Sequence, residues 1–436
     1  MKKFAILALA ALLVVSFTVP ASALENIFGG YWRTRFFQQR NFTGDDTQAL
    51  EEARDNVMVD TRTRLYYTAK LNDNLKFVNK FEFDTNWGSA AGFGRVGTDA
   101  VAIEIKNSYA DFNVGPVNML VGAQGFTLAR GFISDEDGIG MKAIWKVNDG
   151  LYLPFIWQKM YDGNDAGVGE DATRMDIDMY IFTPIIYLSK DIKFNPYYVF
   201  VHAQNGLAFS TVAPALTALS FDNINAHVFG LDFDGKFGPA SLWFTGIMQT
   251  GSATATGAAS SAGLLPGDEV DLEGYLLAAG GKFDLGKADI HGQVFFATGE
   301  EDGLLDKEAN AYLTTTSQYY YWAEILGRGI FDQQDVVGST GFRISNILAA
   351  NIGATVKPMD KLSITADLWW AQLDEENAFG EDELGIEADV VVSYKLVEGL
   401  TLDVVGAWLF AGDAVSADGK NENDPYEFGT RLSLSF

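Results

Sequence analysis

The chain contains no cysteine, so disulfides do not hold it together, even in a compartment that forms them. It also lacks a Pro- or Ser-rich linker and any shift of composition along its 436 residues. It therefore reads as one large object rather than a string of domains. Beyond the N-terminal stretch, no segment approaches the ~18 consecutive apolar residues of a membrane helix. Such a chain can meet a bilayer only as a closed barrel, because only helices and closed barrels satisfy every backbone polar group in hydrocarbon. Chemistry-bearing residues are scarce. There are three histidines, with no C-x-x-C-H haem attachment, no Gly-rich phosphate loop and no basic, aromatic-rich surface suited to nucleic acid. No catalytic residue, cofactor, metal or nucleic-acid partner is expected. His291 shares a polar strand face with Asp289 and Gln293. An Asp-x-His pair can orient an imidazole, but no serine or cysteine is arranged beside it as a nucleophile, so it reads as a lumen-lining histidine.

What is present begins with Lys2 and Lys3, then "FAILALAALLVVSFTV", Pro20 and Ala21-Ser22-Ala23. This is the pattern of a cleavable secretory signal, and it sets residues 1–23 apart from a single domain over 24–436. Within that domain apolar residues recur with a period of two. In the final stretch "PYEFGTRLSLSF", one face carries Tyr426, Phe428, Thr430, Leu432, Leu434 and Phe436, and the other Glu427, Gly429, Arg431, Ser433 and Ser435. Residues 57–71 and 384–396 repeat the pattern, the latter with Leu384, Ile386, Val390 and Val392 on its oily side. These are strands with one apolar and one wet face.

Short connections rich in Asn, Asp, Gly and Pro fall at 71–75, 114–117, 147–151, 188–192, 235–240, 283–288, 357–362 and 396–400, and they alternate with long polar loops. Alternating short turns and long loops are what an outer-membrane barrel requires. Eight such turns plus one closing pair of termini predict an all-β, antiparallel transmembrane barrel of about 18 strands. Sixteen is the alternative, because 101–114 changes face midway and 192–204 is apolar on both faces.

With these alternating strands, the signal stretch and the terminal Phe436, the chain resembles the Gram-negative outer-membrane porins. The resemblance implies a location in the bacterial outer membrane, among lipid and lipopolysaccharide. It also implies that Phe436 is an insertion signal read by the barrel-assembly machinery, and that the barrel is a passive channel for small hydrophilic solutes or ions. Monomer and homotrimer both stay open. Two other readings are a sheath that docks a partner such as an extracellular electron carrier, and, more distantly, a barrel hydrolase centred on His291.

On the inward faces, strand one presents Arg33 and Arg35 and strand two Arg62 and Arg64. A hairpin axis near residue 49 sets Arg33 beside Arg64 and Arg35 beside Arg62. The turn at 72–74 brings Glu82 towards Arg64 and Asp84 towards Arg62. This basic ladder either stiffens a salt-bridged wall or gives the pore an electropositive side that polarises passing solutes. Glu387 and Asp389 are further pore-lining acids. The net charge of −27 sits mainly in the loops at 161–171, 300–308 and 374–383. The longest connection, about 300–338, holds "AYLTTTSQYYYWAEILGRGIFD", which is too apolar for a freely solvated loop. It is expected to fold into or across the mouth with Tyr319, Tyr320, Tyr321 and Trp322 as its packing surface, or else to pack on neighbouring loops outside the path.

Overall fold

The computed structural model describes residues 24–44, 54–89, 94–95, 103–161, 177–203, 221–255, 265–301, 306–315, 318–416, 418–420 and 423–436. Residues 1–23, expected to be a cleavable signal, and the acidic stretches 162–171 and 302–305 lie outside the described residues. The strands are β1 (Glu25–Arg40), β2 (Asn56–Asn72), β3 (Leu75–Asn86), β4 (Glu104–Val114), β5 (Val117–Leu128), β6 (Ser134–Asn148), β7 (Leu151–Tyr161), β8 in two pieces (Ile177–Phe182 and Ile185–Ser189) and β9 (Ile192–Ala203). They continue as β10 (Phe221–Phe237), β11 (Ala240–Ala255), β12 (Glu269–Asp284), β13 (Ala288–Ala297), β14 (Ile347–Met359), β15 (Leu362–Gln372), β16 (Glu383–Val397), β17 (Leu400–Ala411) and β18 (Tyr426–Ser435). Each pairs antiparallel with the next, and β18 pairs with β1 from Tyr31↔Ser435 to Arg40↔Tyr426. The sheet thus closes on itself as an 18-strand barrel with no free edge. Beyond the last register pair, the Gly30 N–H donates to the Phe436 carbonyl (2.8 Å) and the Phe436 N–H to the Gly30 carbonyl (3.2 Å).

All eight short turns separate consecutive strands where the Asn, Asp and Gly residues predict them. The face change within 101–114 is a bulge: Lys80 pairs with Asn107 but Phe81 with Ile105, so Lys106 is skipped. β8 breaks at Pro184, which has no N–H to give the ladder. Asn195 Nδ2 covers the break by donating to Thr183 Oγ1 (2.7 Å) and the Pro184 carbonyl (2.8 Å).

The outer surface is apolar. Phe36, Leu65, Phe182, Phe229, Leu277, Ile352, Ile386 and Phe428 are all exposed there, which is the exterior a barrel needs against hydrocarbon. One face assignment and one register change. Leu384, expected outward, is fully buried within the barrel. The cause is a bulge next to Gly385 (φ +110°), where Ala371 pairs with Gly385 but Gln372 with Glu383, so Leu384 turns inward. The first hairpin is also shifted: Arg33 opposes Arg62 and Arg35 opposes Asp60, not Arg33 against Arg64 and Arg35 against Arg62. The observed register leaves one arginine pair face to face instead of two and gives Arg35 a carboxylate partner, which lowers like-charge repulsion.

Candidate functional site: a lumen crossed by two loops

The interior is not a hollow tube. The short connection between β5 and β6 folds inward through three consecutive left-handed residues, Ala129 (φ 51°), Arg130 (φ 57°) and Gly131 (φ 97°). Arg130 reaches the facing wall, where its Nη2 donates to Asp234 Oδ1 (2.8 Å) and the Phe233 carbonyl (3.1 Å) and its Nε to Thr245 Oγ1 (3.1 Å). Its guanidinium lies 4.9 Å from the centre of the Trp243 ring. Phe132, fully buried, then serves as the seat for the long connection between β13 and β14. The Phe132 carbonyl accepts from Tyr312 Oη (2.8 Å) and Gln318 Nε2 (2.6 Å), and its ring stacks on Tyr320 at 3.9 Å.

From there residues 319–337 run across the barrel. Tyr320 Oη donates to Gln293 Oε1 (2.5 Å), and Trp322 meets Phe295 and Trp369 edge-on at 5.2 and 5.1 Å. Tyr319 stacks on Phe342 at 4.4 Å, while Tyr321 stays partly exposed. The backbone N–H groups of Ile325 and Leu326 donate to the two oxygens of Glu387 (2.7 and 2.9 Å), and that of Glu324 donates to Asp389 (3.4 Å). Further on, Phe331 stacks on Phe37 at 4.7 Å, its carbonyl accepts from Arg35, and the Val337 N–H donates to the Phe42 carbonyl (3.0 Å). The loop is thus fastened to β1, β13, β15 and β16 as well as to the 129–133 connection. Burial pushes the Glu324 carboxyl up to about 7; an N–H from Ile330 works against that shift and the neighbouring Glu387 adds to it.

The basic residues lie mainly on one side. Arg35 is buried against Asp60. Arg62 is bound to Asp84 and Arg64 to Glu82, with Glu82 a second partner of Arg62 at 3.3 Å. These acid contacts follow the sequence expectation for the second hairpin. Arg33 differs: its Nε is buried with no hydrogen-bond partner among the described residues, and it faces a cavity of about 850 Å3 shared with Arg62, Arg64, Lys80, Lys106 and Arg431. A second cavity, about 750 Å3, lies towards the short turns and is bounded by Lys193, Trp243, His291, Asn351 and Asp367. Trp322 and Glu324 line both, so the loop stands between them. Glu387 and Asp389, expected to face an open pore, lie beneath this loop and serve as its acceptors. His291 is clamped with Nδ1 on Asp289 (2.9 Å) and Nε2 on Asp367 (3.1 Å). Phe132, Arg130 and the inward 129–133 turn had no sequence signal; the two-sided apolarity of 192–204 was its indirect trace, because Tyr197 and Val199 pack in this buried cluster.

The fold, its apolar exterior and a lumen crossed by loops define a transmembrane β-barrel of the outer-membrane kind. Solved structures agree on that fold. OccAB1 from Acinetobacter baumannii superposes with a TM-score of 0.58 at 12% identity, covering 96% of this chain and 99% of its own. OpdO from Pseudomonas aeruginosa gives 0.58 at 12% identity over 94% and 97%. The outer membrane protein OprD of the same organism gives 0.55 at 10% identity over 96% and 95%. No protein-family model and no curated protein matches the sequence.

Proposed function

We propose that the chain is an outer-membrane porin, a passive channel for small hydrophilic solutes or ions. In this reading Arg33, Arg62 and Arg64 form the side of the path that attracts anionic groups, and the segment through Tyr319–Trp322 is its constriction. The observation that carries it is the buried Arg33, whose Nε has no hydrogen-bond partner among the described residues, facing a polar cavity whose far limit is the crossing loop. A wall built only for stiffness would pair every guanidinium. The sheath reading requires a wide, unobstructed lumen, against which the crossing loop argues. The hydrolase reading requires a free imidazole nitrogen, whereas both nitrogens of His291 face carboxylates.

Single-channel recording of the purified protein in a planar bilayer under a salt gradient tests the proposal. Changing Arg33, Arg35, Arg62 and Arg64 to Gln shifts the reversal potential towards cation preference, more at low salt, where the Debye length grows to ~30 Å. An unchanged reversal potential in an assembled variant sinks the electropositive path. Phe436 is proposed as the insertion signal. The residue is two-thirds exposed (66%), so Phe436→Asp lowers the heat-modifiable fraction in the outer membrane without changing the conductance of the molecules that assemble. Normal assembly of that variant refutes the role.

A further inference from the structure

The crossing loop rests on an unusual seat. Glu387, Asp389 and Glu427 are all buried on the inner wall, and Glu324 enters from the loop. Glu387 and Asp389 stand two residues apart on the inner face of β16, both beneath the loop. Glu387 already accepts two backbone N–H groups, and Asp389 accepts one while its Oδ1 has no partner among the described residues. The charged groups facing Glu324 are Glu387 and Asp389 on β16, Asp367 on β15, and Glu427 and Arg431 on β18. Both nearby cations are occupied elsewhere: Arg431 on Asp403 (2.9 Å), and Arg35 on Asp60 and the Phe331 carbonyl. Neither of these two cations is free to balance a fully ionised cluster.

We propose that Glu324, Glu387 and Asp389 form a proton-dependent latch that holds the loop across the lumen, so that the loop detaches and the two cavities merge as pH rises. The direction follows from the proton balance. The docked loop holds Glu324 at about 7 against an ordinary 4.5, so between those values it binds more protons than a detached loop does. Docking is at full strength below the lower value and weakens as pH rises through the higher one. Above it, an ionised Glu324 is held in a poorly solvated spot beside the Glu387 and Asp389 carboxyl groups, whose backbone donors are already used.

The latch rests on the reading of this loop as the constriction, so its test has two independent readouts. The first is conductance of the full chain at high salt, where wall charge is screened. The parent is expected to rise about twofold or more from pH ~5 to ~8.5, while Glu324→Gln stays at the low level throughout and Asp389→Asn blunts the step. The second readout needs no conduction. Because the chain has no cysteine, Phe331→Cys gives a single thiol on the buried face of the docked loop. Its labelling rate by a water-soluble maleimide, divided by that of the Phe331→Cys, Glu324→Gln double variant at each pH, removes the effect of thiol ionisation and should climb over the same range. A ratio that stays flat overturns the latch, as does a conductance step retained in Glu324→Gln. If the labelling ratio climbs while conductance stays constant, the latch stands and the constriction reading falls.

Discussion

On β1–β3 the inward positions include Arg33, Arg35, Asp60, Arg62, Arg64 and Glu82, whereas on β8–β13 they include Met179, Ile181, Val199, Ile247, Leu276 and Phe295. Both walls face the same bore. The first is held by ion pairs that leave a cavity beside them; the second is covered by Phe132, Ile133, Tyr312, Ile325 and Leu326 from the two inward loops. An apolar inner wall cannot be left to water without a large cost, and roughly 25 cal/mol per Å2 of covered apolar area favours keeping the loops down. The difference shows that one side of the barrel has a soluble-protein core inside it, and that open space is left mainly on the charged side.

The strongest way to break this contrast is to remove the covering loop. Replacing about residues 304–334 with a short Gly-Ser linker should raise single-channel conductance several-fold and alter selectivity, since Lys307, Glu308, Glu324 and Arg328 leave with it. It also bares Phe295 and Trp369, so the temperature at which the barrel unfolds in mild detergent should fall. Recordings that match the parent in both conductance and selectivity place the loop outside the path.

A single side chain gives the next largest effect. Phe132 is fully buried and stacked on Tyr320, so Phe132→Ala should cost about 3–5 kcal/mol, the range for deleting a large buried aromatic. The measurement is the denaturant midpoint of the folded barrel, with Phe36→Ala on the exposed outer face as the comparison. Equal losses for the two would show that the apolar side has no packed core.

The same contrast explains what could be read in the sequence. Turns were legible because tight hairpins demand Asn, Asp, Gly or Pro at fixed places, and the strand count followed. Faces were legible on β2 and β18, where one side meets lipid and the other water. They were ambiguous on β9, because a wall covered by a plug is apolar on both sides and period two disappears. Register in the first hairpin was not readable. The connection from 41 to 55 is long, and only a short turn fixes the pairing on its own. That the loop would be seated on Glu387 and Asp389 was beyond the pattern altogether, since its acceptors lie more than 60 residues away and their partners are backbone N–H groups, which carry no sequence signal. The inward turn at 129–133 was equally silent, because Ala129 and Arg130 adopt left-handed conformations that composition does not announce.

The smallest effect is expected on the charged side, and it sharpens the comparison by its sign. Asp84 is 41% exposed in its ion pair with Arg62. Such pairs contribute about 0–1 kcal/mol, because water screens them and ordering two side chains has its own cost. Asp84→Asn should therefore leave the denaturant midpoint nearly unchanged, in contrast to Phe132→Ala. Arg62 keeps a second acid, Glu82 at 3.3 Å, so its side chain stays in place while the local charge becomes more positive by one. The reversal potential should move towards anion preference, opposite to the arginine substitutions, and the shift should shrink as salt rises to ~1 M, where the Debye length is ~3 Å. A midpoint that falls as far as that of Phe132→Ala would mean that the ion pairs hold this wall as firmly as packing holds the other, and the division of the bore into a packed side and an open charged side would be lost.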